Sequence, residues 1–132
     1  MNWLRRWLYL VGFIQLSAIL SVFMPKSWMD ACSSAMGVTA LEDTPIAGYL
    51  ARLSSAMYVV HGMLLVCLAG LLPEQLRMVH VFSRTTFGLA IMMLWIDVIE
   101  GMPTHWTWFE FIALFGNATI MEILARRAAS RS

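Results

Sequence analysis

Long apolar runs alternate with short polar punctuation along this chain, and the runs are too long to be the buried faces of a water-soluble bundle. The first covers residues 4–24, opens with the basic pair Arg5 and Arg6, and after them is broken by little more than Gln15 and two serines. Such a stretch reaches the roughly 20 residues that an α-helix needs to cross about 30 Å of hydrocarbon. Pro25 stops it. A second run, 45–72, opens at Thr44 and Pro45, a good N-cap and first-turn pair. The third, 77–100, ends where Gly101 and then Pro103 follow. The fourth, 108–125, is opened by Thr107 with Glu110 three residues on, the spacing of a capping box.

Between the first two runs lies a shorter pattern. Ser27 and Asp30 have capping-box spacing for a helix over 27–36 that closes near Gly37. Trp28, Met29, Cys32, Ala35 and Met36 share one face of it, with Lys26, Asp30, Ser33 and Ser34 elsewhere, which is how a helix lying in a membrane interface is built. The chain therefore predicts an all-α fold, an integral membrane four-transmembrane-helix bundle with a short interfacial amphipathic helix in the first outer loop, forming a single membrane domain over 1–132. A signal peptide is the rival reading of the first run, but that run exceeds the usual h-region of about 7–15 residues and no small-x-small site follows it.

Composition agrees. Of 132 residues, 60% are hydrophobic and 13% charged, against about half and a quarter in soluble domains. The net charge of +1, with scattered basic residues, argues against a nucleic-acid partner. The distribution of charge says more than its sum. Arg5 and Arg6, Arg77 and Arg84, and Arg126, Arg127 and Arg131 all fall on one side of a four-span topology, and only Lys26 falls in a loop on the other. The positive-inside rule then puts both termini in the cytoplasm. Trp3 and Trp7 would form an inner aromatic belt, and Trp28, Trp95, Trp106 and Trp108 an outer one. Cys32 and Cys67 lack metal or redox spacing and fall at opposite ends of the second span's length, which excludes a disulfide between them.

Candidate chemistry concentrates at the outer rim, where WIDVIEGMPTHWTWFE crowds acids, a histidine and tryptophans. An ionisable residue at membrane depth costs about 2.5–3.5 kcal/mol on insertion scales, so Arg52 needs a partner. It lies seven residues past Pro45 and Asp97 one turn before the end of the next span, so an Arg52–Asp97 ion pair is expected, with Glu100 as a second acceptor. His105 and Glu110 complete the cluster. That cluster is either a helix lock or the floor of an outward polar pocket. A deeper layer, Gln15, Tyr58, His61 and Asn117, reads as hydrogen bonding between helices or as a narrow site for a quinone-like or lipid-like ring. Ala47, Ala51 and Ser55 form a small-residue ladder for close helix approach. Glu122 can pair with Arg126 at i,i+4 or with Arg84 across helices. No spacing calls for a metal or another cofactor.

With its length, its four expected spans, its cytoplasmic termini and the segment YLARLSSAMYVVHG, the chain resembles the small uncharacterised bacterial four-helix membrane proteins grouped around the DoxX-like families. Arg52, early in its span, is similar to an arginine such proteins carry. The resemblance implies a membrane accessory role of the kind associated with quinol oxidation or thiol stress. Small multidrug transporters, with an acid in their first span, and vitamin-K-epoxide-reductase-like enzymes, with paired cysteines, fit poorly. The expected role is non-catalytic: a component that sits in the lipid bilayer and binds itself or a partner membrane subunit. The alternative is a membrane-embedded binding protein or enzyme for an apolar small molecule, working through Arg52, Asp97, Glu100 and His105.

Overall fold

Every apolar run becomes helix. The computed structural model describes residues 1–37 and 45–130, and its regular structure there consists of α1 (Asn2–Leu16), α2 (Ile19–Val22), α3 (Lys26–Ala35), α4 (Pro45–Gly70), α5 (Leu76–Ile99) and α6 (Thr104–Ala129), with no strand among the described residues. Three helices, α4, α5 and α6, are long and apolar enough to cross a membrane. Their 26, 24 and 26 residues rise through about 36–39 Å.

The first run departs from expectation, because it is two helices and not one. The Ser17 hydroxyl bonds back to the Ile14 carbonyl at 2.6 Å, and the Ala18 amide takes the Gln15 carbonyl three residues back instead of four. A hydroxyl that competes for a helix carbonyl bends or tightens the turn. The chain keeps winding through Leu20, which bonds Ser17, before α2 ends at Val22.

The caps also differ in detail. Pro25, not Ser27, leads α3, and Asp30 pairs with Lys26 at 2.9 Å instead of reaching back to a cap. Pro103, not Thr107, leads α6, so this helix opens at Thr104, and Thr107 donates to the Pro103 carbonyl at 3.4 Å. In both places a proline already extended in ψ, at 146° and 133°, presets the turn one residue before the helix, and the expected boxes never form. The Thr44 cap lies outside the described residues. The stop after α5 is as expected. Gly101 takes φ +67°, and the Met102 amide closes onto the Asp97 carbonyl at 2.9 Å, a Schellman-type end.

Burial is inverted relative to a water-soluble bundle. The buried residues of α5 are Val79, Ser83, Thr86, Ala90 and Asp97, and those of α6 are Thr107, Ala118, Met121, Ala125 and Ala128. Large apolar side chains point away: Ile91, Val98, Phe109 and Ile112 are each more than 60% exposed. Only 22%, 22% and 17% of the most apolar stretches of α4, α5 and α6 is covered by the protein. Small residues inside and large apolar ones outside is the arrangement in which van der Waals contact between close backbones, not escape from water, holds helices together. The steps of four, three, four and seven along α5, and of three, four and three along α6, keep these small residues on one seam of each helix.

By their contacts the residues fall into two compact units, Met1–Leu8 with the chain from Cys67 onward, and Tyr9–Val66. In the first unit, α5 and α6 pack along their seams, and Ser83 donates to the Ala118 carbonyl at 2.9 Å. Arg5 donates to the Leu72 carbonyl there. In the second unit, Gly12 of α1 and Gly62 of α4 meet backbone to backbone. A Cβ on Gly62 would lie 2.7 Å from the Gly12 carbonyl oxygen and 2.9 Å from the Leu16 amide nitrogen.

Candidate functional site

Among the described residues, three buried side-chain atoms lack a hydrogen-bond partner, Arg5 Nε, Asp30 Oδ1 and Asp97 Oδ2; Arg5 and Asp30 are bonded through another atom, which leaves Asp97 to account for. The α5 seam carries it inward one turn before the helix end, where it is 4% exposed and its Oδ2 has no hydrogen-bond partner. A sealed carboxylate oxygen without a donor costs on the order of 1–3 kcal/mol, and more if charged. The Schellman turn at Gly101 reverses the chain directly above it, and Pro103 starts α6 so that Thr107 and Trp108 come down beside it. Between these walls lies an open-sided cleft of about 280 Å³, lined by Asp97, Leu94, Val98, Met102, Thr104, Thr107 and Trp108 among others. Apart from Asp97, its polar chemistry consists of two threonine hydroxyls, the indole N–H of Trp108 and main-chain groups.

The other residues of the expected rim cluster have their own surroundings, each within its own unit. Arg52, expected to pair with Asp97, sends its guanidinium instead to main-chain carbonyls of its own unit, Nε to Val22 and Nη2 to Met24, each at 3.1 Å. The reason is local. α2 ends at Val22, so these carbonyls lack helical partners, and a forked guanidinium satisfies two at once. Glu100 is the exposed C-cap of α5, and His105 is the exposed second residue of α6. Glu110 is half-buried in the second turn of α6. None of these three lines the Asp97 cleft.

The deeper polar residues pair within their own units. Gln15 Oε1 meets His61 Nδ1, so with that oxygen as acceptor the imidazole carries its proton on Nδ1. Tyr58, one turn earlier on α4, is 40% exposed. Asn117 Oδ1 accepts from the Trp7 indole at 3.0 Å, a bond between α1 and the middle of α6. Glu122 accepts from Arg126 at 2.7 Å, as one expectation had it, but its second oxygen meets His80 at 2.9 Å and not Arg84. Cys32 and Cys67 are free thiols. Among the described residues no three of His, Cys, Asp and Glu lie close enough to hold a metal ion.

Reading the sequence finds Asp97 but misses its surroundings. Thr107 and Trp108 are legible only as a cap and a belt, because their role depends on α6 starting at Thr104. Gly12 and Gly62 are missed as a pair, although Gly62 continues the heptad of small residues set by Gly48 and Ser55. No family model matches this chain, and no curated protein and no solved structure does so either.

Proposed function

We propose that this protein is a four-span component of a bacterial inner membrane, with both termini in the cytoplasm, whose role is non-catalytic and consists of holding a partner membrane subunit or a second copy of itself. The observation that carries this reading is the inverted burial of α5 and α6, small and polar residues inward and large apolar ones outward. An exposed apolar surface of this extent is costly in water and inexpensive in lipid. The winding of α1 through Ser17 into α2 supports a fourth span, because 21 residues from Asn2 to Val22 rise about 30 Å. Arginine placement supports the orientation.

The accessory role is supported by the use made of polar side chains. Gln15 with His61, Trp7 with Asn117, and Glu122 with His80 and Arg126 are closed pairs that fix helices to one another. The same role is what the resemblance to DoxX-like proteins implies. A quinone-binding alternative is less favoured, because the Asp97 cleft of about 280 Å³ falls at the lower edge of the roughly 300–1,000 Å³ of drug-sized pockets.

Two measurements test the proposal. Reporter fusions at each terminus should both read out on the cytoplasmic side, and opposite readings would replace four spans with three. Native mass spectrometry from a mild detergent should find a dimer or a second protein chain. Strictly monomeric particles across detergents would remove the assembly role.

A further inference from the structure

We infer that the Asp97 cleft binds a primary ammonium group, of the kind carried by an ethanolamine lipid headgroup or by a small free amine. The inference rests on the membrane reading above, which puts the α5–α6 turn at the bilayer surface, at the depth of headgroups.

The chemistry follows from what the cleft lacks and what it offers. Asp97 is buried to 4% exposure with Oδ2 unsatisfied, so the site contains an acceptor that the protein gives no donor. An ammonium supplies a positive charge and three donors in one small group. Thr107 donates its own hydroxyl proton to Pro103, which leaves its oxygen free to accept a second N–H. Trp108 is among the lining residues, and a cation within about 6 Å of an indole face is attracted by the ring quadrupole. Leu94, Val98 and Met102 give the carbon atoms next to the nitrogen an apolar lining. The volume of about 280 Å³ takes a headgroup-sized body and not an extended ring system with its tail. A quaternary ammonium fits less well. It brings charge to the indole but no N–H to Asp97.

The test uses the whole chain, purified in a neutral maltoside detergent, with thermal unfolding followed by tryptophan fluorescence. Phosphatidylethanolamine added to the micelles should raise the midpoint by about 3–6 °C at a tenfold excess over Kd, and phosphatidylcholine should not. Asp97→Asn should lose that shift, whereas Thr119→Ala, remote from the cleft, should keep it. Should Asp97→Asn fail to fold, Met102→Trp, which fills the cleft, and Thr107→Val serve in its place and should reduce the shift. Free ethanolamine producing the same Asp97-dependent shift would identify the source as a soluble amine. The inference is overturned if the two lipids act alike, if the cleft variants respond as the unmodified protein does, or if Asp97 is instead needed to retain a co-purifying protein chain. Loss of the membrane reading has its own signature, a protein that stays monodisperse in water without detergent. The free-amine arm still decides the role of Asp97 in that case.

Discussion

Arg52 shows what a single side chain can and cannot reveal in a sequence. That an arginine in an apolar helix needs a partner follows from solvation energetics alone, and carboxylates are the partners visible in a string of letters. Main-chain carbonyls are invisible there, because every residue has one and only the end of α2 exposes those of Val22 and Met24. Removing the guanidinium as Arg52→Ala should destabilise the protein by about 1–3 kcal/mol, read by denaturant titration in mixed micelles, with Arg52→Lys recovering part of the loss. The contact between Gly12 and Gly62 is a second residue-scale case. Gly62→Ala pushes a methyl against main-chain atoms at 2.7 and 2.9 Å and should cost about 1–3 kcal/mol, since backbone cannot step aside. Gly12→Ala meets Val66 Cγ2 at 2.8 Å and main-chain atoms only from 3.1 Å, and should cost somewhat less. Gly88→Ala has nothing within 4 Å and should leave stability unchanged or raise it by up to about 1 kcal/mol through helix propensity. The reverse order of these three would mean that the two helices do not meet at Gly12 and Gly62.

Among elements, helix existence was legible and helix starts were not. Apolar runs of 18 residues or more leave little alternative to α4, α5 and α6, and Gly101 marks a stop because only a left-handed position there closes the turn. Starts failed at Ser27 and Thr107 for one reason. Each stands close behind a proline that takes the leading position, and a capping motif carries no information about which of two neighbouring candidates prevails. The seam between α5 and α6 was hidden for a different reason. Amphipathic reasoning looks for large apolar residues facing inward, and here the inward residues are Ser83, Thr86, Ala90 and Ala118. Bulk at the seam should therefore do more harm than lost polarity. Ser83→Ala should cost about 0.6 kcal/mol, the average for a hydrogen bond between membrane helices, while Ser83→Leu should separate α5 from α6 and abolish cooperative unfolding. Equal effects from the two would show the hydroxyl, not the close approach, to be what matters.

For the molecule as a whole, composition and the lengths of the apolar runs reached the all-helical class and three of the four expected long helices, while the fate of the first run depended on Ser17, a single hydroxyl that no periodicity reports. The order in which the chain is made adds a consequence. Trp7 bonds Asn117, 110 residues downstream, and Arg5 bonds the carbonyl of Leu72, 67 residues downstream. The first turns of α1 thus wait for partners made much later: Arg5 stays unpaired until Leu72 is synthesised, and Trp7 until the final helix is. Maturation therefore includes a late closure of the first turns of α1 onto α6, and a chain stalled before Asn117 would leave Trp7 without its acceptor.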